Sequence, residues 1–247
     1  MNRCLIYLLL FGSLFSQQSL DSLFKAGNQY YESGDYEKAL SIYSQLSETV
    51  NQVDVFYNMG NAYYRLGNLG ESIWAWEKGQ NISPRHKDII YNLTIANSKV
   101  RDRIEPPEGF LLLNLYRAFI EKNTISDLIG LGSLIILMFS IVYGAGILKP
   151  GWESRLTPIK ILLLAVLLTI HGLALDRYWE LSEIKAGIVI NSRVDVRSAP
   201  IKHPKNVIFR VHEGVKVEIT QTQPGWIEII LLDGKKGWLN STAIKSL

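Results

Sequence analysis

Side chains able to perform covalent catalysis or to bind metal ions are few in this chain of 247 residues. The single cysteine, Cys4, lies in the first apolar stretch, so the rest of the chain has neither a thiol nucleophile nor a disulfide. The histidines show no metal-ligand spacing such as H-E-x-x-H, and no G-x-S-x-G is present. The four histidines are His86, His171, His203 and His212. We therefore predict no catalytic activity, no metal site and no cofactor.

Asparagines, tyrosines and an arginine recur at helical spacing in the first hundred residues, and these residue types suit noncovalent recognition. Residues three or four positions apart share one face of a helix. Asparagine amides can hydrogen-bond an extended peptide backbone, and tyrosines supply wide contact area at low entropic cost. The alternative is that these residues form a solvated helix face. The predicted partner-binding residues are Asn28, Tyr31, Tyr57, Asn58, Asn61, Tyr64, Arg65, Tyr91 and Asn92.

An internal repeat predicts the helices that carry these residues. The segment LFKAGNQYYESGDYEKALSIYSQL, from Leu23, aligns without gaps with FYNMGNAYYRLGNLGESIWAWEKG, from Phe56. A period near 34 residues is typical of stacked helix pairs, and Gly34 and Gly67 can each end the first helix of a pair. A further helix, HKDIIYNLTIANSKVRDRI, follows, and we expect it to cap the stack. The predicted helical-repeat domain covers residues 20–103.

These segments resemble the tetratricopeptide repeat, and Pro84 closes the second copy where that family places a proline. The resemblance implies an all-α solenoid whose first helices line a concave groove. The lysines with which clamp-type members grip a terminal carboxylate are missing here, so the resemblance favours an internal segment of a partner protein. Gly27 and Gly60 lie in the middle of helices, where glycine costs about 1 kcal/mol relative to alanine, so close packing of the paired helix is expected.

Two uncharged runs follow the repeats, with 21 residues from Leu128 to Leu148 and 15 residues from Ile161 to Leu175. We predict transmembrane helices at residues 128–148 and 159–176, joined by a turn at 149–158. A hydrocarbon core of about 30 Å requires roughly 20 apolar residues of helix. The second run reaches that length if Lys160 extends its ammonium to the interface. A buried hairpin of a soluble protein is the alternative, but water-soluble helices this long normally carry a polar stripe.

Charges around the hairpin predict its orientation. The turn region from Lys149 to Lys160 has three basic residues against one acid, Glu153, and basic residues in short loops stay in the cytoplasm. Residues 1–16 have a basic start, an apolar centre and a small final residue, which together predict a signal peptide, with an uncleaved anchor as the alternative. The expected location is the inner, or cytoplasmic, membrane, with two spans and with both soluble segments in the periplasm.

The segments in and beside the hairpin contain two further candidates. Residues 104–127 have an apolar face and are expected to lie along the membrane surface. His171, inside the second span, is ionisable and therefore a functional candidate. The simpler interpretation is that it bonds a carbonyl or a hydroxyl such as that of Thr169. No second charged residue lies deep in either span, so no transport pathway is predicted.

Alternating apolar and polar residues predict a small all-β domain at residues 185–247. Strands are expected at residues 187–191, 207–211, 216–223, 226–231 and 237–240. The segments VDVRSAP, EGVKVEI, PGWIEIIL and DGKKGWL resemble the bacterial SH3 domain, which implies a closed SH3-like barrel. Trp226 and Trp238 are interpreted as core residues, or else as an aromatic groove for a peptide. Some exported modules of this type bind cell-wall peptides, so the resemblance implies that ligand class too.

The order of segments in this multidomain membrane protein resembles the BatE-like proteins of the bacterial aerotolerance (Bat) operons. That resemblance implies a scaffold that works with von Willebrand factor A-domain membrane proteins and a MoxR-type AAA+ ATPase in envelope stress tolerance. The alternative is a targeting subunit of a peptidoglycan-acting, cell-wall remodelling system. A net charge of +3 is too small to indicate a nucleic-acid partner. The predicted function is a membrane-anchored extracytoplasmic adaptor.

Overall fold

The computed structural model describes residues 19–104, 111–183 and 185–247. These residues form two compact units, of which the first joins residues 19–104 to the C-terminal residues 186–247. The second unit contains residues 111–183. The predicted signal peptide, residues 1–16, lies outside the described residues. The two segments that flank the apolar helices are therefore parts of one discontinuous unit.

Five helices form the N-terminal part of the first unit. They are α1 over the described residues 19–32, α2 at Tyr36–Thr49, α3 at Val53–Arg65, α4 at Leu69–Ile82 and α5 at Lys87–Lys99. Gly34 and Gly67, in the turns after α1 and α3, have φ of 85° and 82°, a left-handed conformation that favours glycine. Two helix pairs and one further helix are thus present, as the repeat predicts.

Two glycines allow the helices of each pair to approach closely. A Cβ atom on Gly27 would lie 2.7 Å from the ring of Tyr43, and one on Gly60 would lie 2.4 Å from the indole of Trp76. Both aromatic side chains are buried, so they have little room to move. The corresponding position in α5 is Thr94, whose side chain is exposed. The expectation of close packing at the two glycines is confirmed.

The C-terminal part of the first unit is an antiparallel sheet of seven strands. The strands are β1 at Lys185–Val189, β2 at Val194–Arg197, β3 at Val207–Val211, β4 at Lys216–Gln223, β5 at Trp226–Ile230, β6 at Lys236–Asn240 and β7 at Ile244–Ser246. They are hydrogen-bonded in the order β3-β2-β6-β5-β4-β1-β7. Strands β3 and β7 are therefore the edges, and the sheet is not closed into a barrel.

The expectation of a closed SH3-like barrel is wrong in this respect. Alternation along a strand indicates which residues face the core, whereas closure depends on pairing between the two edge strands, and alternation carries no information on that pairing. Strands β3 and β4 have the predicted bounds. Strands β2 and β7, with 4 and 3 residues, are too short to be predicted with the others. The sheet core includes Val189, Ile229 and Leu239, all of which are fully buried.

The sheet packs against α4 and α5 through a shared apolar cluster. Ile188 of β1 is fully buried in a cluster that contains Ile73, Trp76 and Leu93 of the two helices. Val100, which follows α5, packs in turn against the core of the sheet. Complete burial of one large aliphatic side chain contributes about 1.5–3 kcal/mol. Shared burial of this kind makes the helices and the sheet depend on each other for stability.

Polar contacts fix the same interface along α4. Oε2 of Glu213 accepts a hydrogen bond of 3.1 Å from the backbone N–H of Gly70 in the first turn of the helix. The sheet therefore supplies a cap for the N-terminus of α4. A Cβ atom at Gly70 would lie 2.6 Å from the carbonyl oxygen of Val189, so this approach requires glycine. Nearby, Nε1 of Trp74 donates to the carbonyl of Ser246 at 2.8 Å.

Charged groups add two more links between the helices and the sheet. Nζ of Lys216 on β4 lies 2.7 Å from Oε2 of Glu77 on α4. After α5, the carboxylate of Asp102 accepts a hydrogen bond of 2.6 Å from the backbone N–H of His212. These links hold the sheet against α4 and against the segment that follows α5.

The second unit contains three helices, α6 at Leu111–Glu121, α7 at Ile125–Leu148 and α8 at Glu153–Glu183, with a 3-10 turn at Pro150–Trp152. Helix α7, with 24 residues, and the part of α8 at Glu153–Trp179, with 27 residues, are long and apolar enough to cross a membrane. At about 1.5 Å per residue, each exceeds the roughly 30 Å of a hydrocarbon core. Helix α8 begins before Pro158 and includes it.

Helices α7 and α8 pack side by side, and α6 joins them. Ile120 of α6 is buried in a cluster with Leu128 of α7 and Ile170 of α8. Nδ1 of His171 lies 2.9 Å from the carbonyl oxygen of Leu167, one turn earlier in α8. Because a carbonyl can only accept, Nδ1 is the donor in this bond. This bond agrees with the simpler interpretation of His171 as a satisfied side chain.

An ion pair within α8 lies near the turn, against α7. Nζ of Lys160 lies 2.8 Å from Oε1 of Glu153, and its ammonium is 5.0 Å from the centre of the Tyr143 ring on α7. A Cβ atom at Gly146 of α7 would lie 2.4 Å from Oε2 of Glu153, so the two helices are in close contact here. Lys160 thus extends towards the turn.

Candidate partner-binding groove

A groove runs across α1, α3 and α5, the first helices of the repeats. Its volume is about 290 Å³. Six of the nine residues predicted to bind a partner line it, because the stacking of the repeats places equivalent helix faces next to one another. The six are Tyr31, Tyr57, Asn61, Tyr64, Arg65 and Asn92. Residues far apart in the sequence therefore meet on one surface.

Four asparagines link the first helices to each other. Nδ2 of Asn58 on α3 donates to Oδ1 of Asn28 on α1 at 2.9 Å. Nδ2 of Asn92 on α5 donates to Oδ1 of Asn61 on α3, also at 2.9 Å. We call these two contacts the asparagine rungs. Some of the amide hydrogen-bonding groups that were expected to bind a ligand therefore hold the repeats together.

The first asparagine rung is reinforced by the second helix of its pair. The hydroxyl of Tyr43 on α2 donates to Oδ1 of Asn28 at 2.8 Å. Burial raises the pKa of this hydroxyl to about 12, so it keeps its proton at neutral pH and remains a donor. Asn28 thus connects three helices.

Three of the predicted residues do not line the groove, and one of them, Tyr91, is 66% exposed. The three are Asn28, Asn58 and Tyr91.

Helices α1 and α3 each place a tyrosine against the cation that ends the next first helix. The side chain of Tyr31 hydrogen-bonds Arg65 and raises the pKa of the guanidinium above its ordinary value. Nζ of Lys99 donates to the hydroxyl of Tyr64 and lies 4.7 Å from the centre of that ring. The tyrosines are 33 positions apart and the cations 34, so the two pairs are equivalent in the repeat.

Two residues outside the sequence prediction complete the lining, Trp76 of α4 and Ile95 of α5. Nε1 of Trp76 donates to the carbonyl of Tyr57 at 3.3 Å, and its ring centre lies 5.6 Å from that of Tyr64. Trp76 belongs to a second helix, so a search restricted to first helices misses it. The signal that could have found it is Gly60, since a mid-helix glycine requires a large neighbour on the paired helix.

Charges are unevenly distributed along the groove. The eight residues that line it include Arg65 but no acid. Asp54 and Asp88 lie in the first turns of α3 and α5, whereas Arg65 and Lys99 lie in the last turns of the same helices. The side of the groove at which α3 and α5 end is therefore the more positive side.

The four histidines lie apart and contact neighbouring groups. Nδ1 of His86 accepts from the backbone N–H of Ile89 at the start of α5, and Nδ1 of His203 accepts from that of Lys205. His212 contacts Asp102 as described above. Across residues 19–104, 111–183 and 185–247, no three side chains of His, Cys, Asp or Glu come together in a way that could hold a metal ion.

The two tryptophans of the sheet differ in burial. Trp226 pairs with Asn240 and Trp238 pairs with Glu228 in the register of β5 and β6, so both indoles lie on the same face of the sheet. Trp238 is 7% exposed, whereas Trp226 is half-buried. The main core lies on the opposite face with Leu239. Trp238 is thus buried outside the main core, and Trp226 is partly exposed.

Glu228 makes the face around Trp238 polar. Its carboxylate accepts from the hydroxyl of Thr220 at 2.7 Å and lies 3.0 Å from Nζ of Lys236. Burial raises the pKa of Glu228, but the hydrogen bonds from Thr220 and Lys236 together outweigh it and leave the pKa below its ordinary value. The carboxylate is therefore charged at neutral pH.

Comparison with known proteins bears on the repeats. Residues 27–67 match the family model described as TPR repeat, which covers part of α1 together with α2 and α3. A search of curated proteins finds no match to the chain. TPR repeats are a protein-interaction fold that is generally non-enzymatic, and the groove described here lies on their first helices. The chain therefore contains TPR repeats, which indicate a protein-binding scaffold.

Proposed function

We propose that this protein is a membrane-anchored scaffold whose repeat groove binds an extended internal segment of a partner protein. The observation that carries the proposal is the groove of about 290 Å³ on the first helices of the repeats. Its lining combines tyrosine rings, amides and a guanidinium, which together suit both the backbone and the side chains of a peptide.

We place α7 and α8 in a membrane as a hairpin. Large apolar side chains in the middle of α7 are exposed, including Leu134 at 53%, Leu137 at 57% and Ile141 at 63%. Lipid tails would cover such a surface, whereas soluble proteins rarely expose apolar patches of this size. Because the repeats and the sheet pack into one unit, the chain between them crosses the membrane an even number of times. The basic turn favours the extracytoplasmic side for that unit.

We further propose that α6 lies at the membrane surface beside this hairpin. Leu111, Leu115 and Phe119 recur at intervals of four residues and are 69%, 59% and 43% exposed. The opposite side of the helix buries Ile120 against the hairpin. An apolar stripe of this kind suits the boundary between headgroups and acyl chains.

The partners we propose are von Willebrand factor A-domain membrane proteins and a MoxR-type ATPase system, in a Bat-type envelope stress complex. The support is the resemblance in the order of segments, with the sheet in the place of an SH3-like module. Affinity purification of the full chain from native membranes, with identification of the proteins that accompany it, tests this assignment.

Fusions at three positions should report the proposed orientation. Alkaline phosphatase, which is active only outside the cytoplasm, should be active when fused after Arg103 and after Leu247, and inactive when fused at Trp152 in the turn. The reason is that basic turns remain in the cytoplasm. A fluorescent protein that matures only in the cytoplasm should give the reverse pattern. Phosphatase activity at the turn, or inactivity at both other positions, contradicts the orientation.

Substitution of Tyr57 by Ala should reduce partner capture from native membranes by about tenfold, because an aromatic ring that lines the groove is lost. The matched control is Tyr30→Ala, since Tyr30 is 39% exposed and its ring lies near Lys38 of α2, outside the groove lining. Capture should be unchanged in this control. The melting midpoint of each variant shows whether it is folded.

A second variant tests the groove without removing the ring of Tyr57, so it avoids any loss of folding that this removal causes. Ile95→Trp adds volume to the groove without removing a buried ring, and it should also block capture. The asparagines are unsuitable for this test, because Asn58→Ala and Asn61→Ala each break an asparagine rung and are expected to lower the melting midpoint. Normal capture by a folded Ile95→Trp protein would place the partner elsewhere.

A further inference from the structure

Arg65 and Lys99 bring two positive charges to the same side of the groove. Both lie in the last turns of their helices, α3 and α5. Arg65 lines the groove, and the ammonium of Lys99 lies over the ring of Tyr64, which also lines it. A guanidinium and an ammonium each have several N–H donors, so the tyrosine contacts leave capacity for a ligand.

The spacing of these cations follows from the repeat. Arg65 and Lys99 occupy equivalent positions on neighbouring first helices, which the hydrogen bond between Asn92 and Asn61 joins, and the axes of packed helices lie up to about 10 Å apart. A peptide in the extended polyproline II conformation advances about 3.1 Å per residue and has three residues per turn, so its side chains three residues apart lie on one face. The separation between the two cations therefore corresponds to about three residues of an extended chain that crosses the helices.

The surroundings favour anionic side chains of a ligand on this side of the groove. The lining residues include no acid, and Asp54 and Asp88 lie at the opposite ends of the same helices. In α1 the position equivalent to Arg65 is Glu32, so the positive pair is confined to α3 and α5. The simpler interpretation is that Arg65 and Lys99 only complement the negative ends of the helix dipoles. That role would affect stability and not ligand choice.

We propose that the groove selects an extended segment with two acidic side chains three residues apart, which pair with Arg65 and Lys99. The proposal rests on the proposed function, since it names the chemistry of the segment that the same groove binds. The carboxylates reach the two cations, and the backbone between them passes over the ring of Tyr64.

Three end-blocked nonapeptides with a fluorescent label test the proposal by anisotropy titration of the full chain in detergent. The first carries aspartates at its fourth and seventh positions, the second carries them at adjacent positions, and the third carries asparagines at the fourth and seventh positions. The other positions are identical in all three. We expect the first peptide to bind about tenfold more tightly than the third, with the second between them. The advantage should shrink as salt is added.

Removal of the charges of Arg65 and Lys99 shows whether these residues select the ligand or only stabilise their helices. The double variant Arg65→Gln, Lys99→Gln should bind all three peptides equally, and it should do so with a melting midpoint close to that of the unchanged protein. Lys87→Gln, at the opposite end of α5, is the matched control and should keep the preference. The exchange Arg65→Lys, Lys99→Arg retains both charges and should also keep it, even if the double variant proves unstable.

Two results would overturn the proposal. One is equal affinity of the unchanged protein for the aspartate and asparagine peptides, or no binding of any of them. The other is a preference for aspartate that survives in the double variant. The scaffold function itself is judged separately, by loss of native partner capture in Tyr57→Ala, so the acidic preference can fail while the scaffold stands.

Discussion

Substitution of Ile188 by Asp is expected to unfold the helical repeats and the sheet together. Ile188 is fully buried between the sheet and the cluster that contains Trp76 and Leu93. A carboxylate there would lose its hydration without gaining a partner, and the aliphatic contacts would also be lost. We expect the free energy of unfolding to fall by more than about 4 kcal/mol, a large share of the stability of an ordinary domain.

Limited proteolysis of the full chain across a urea series measures this effect, with the cleavage sites identified by mass spectrometry. Sites in the repeats and in the sheet should appear at one urea concentration, and that concentration should be lower in Ile188→Asp. The matched control is Ile208→Asp on the edge strand β3, because Ile208 is 51% exposed. Earlier cleavage of the sheet alone would show that the repeats are stable without it.

Truncation of Trp238 to Ala should cost about 3–5 kcal/mol of folding free energy, since its indole is 7% exposed and a cavity would remain. The same proteolysis series should show a lower urea midpoint. Trp226→Ala should have a smaller effect, because Trp226 is only half-buried. A normal midpoint for Trp238→Ala, combined with loss of partner capture, would make this indole a recognition residue and not a structural one.

The repeats illustrate what local sequence signals can predict. Gly34 and Gly67 mark the turns, and Gly27 and Gly60 mark the close contacts within each helix pair, because glycine has few other reasons to occupy these positions. Helical spacing then predicts which residues share the face of the groove. Most of the lining follows from these two local rules.

The contacts that join distant segments could not be predicted in this way. The bond between Asn58 and Asn28 depends on how far α3 is rotated against α1, and one sequence does not specify that angle. The burial of Ile188 against the helices depends on a sheet that begins after the hairpin. The same limit applies to the open sheet, since β2 and β7 are short and pair with strands that are remote in the sequence, β6 and β1.

The discontinuous first unit has a consequence for synthesis. The repeats leave the ribosome before the hairpin, and the strand that contains Ile188 follows only after it. Until then, the cluster around Ile73 and Leu93 lacks the residues that cover it. In the membrane arrangement that we propose, insertion of only one of the two long apolar helices would leave the sheet on the wrong side of the membrane and the cluster exposed to proteases. Under that proposal, completion of this unit distinguishes chains with both helices inserted from chains with only one.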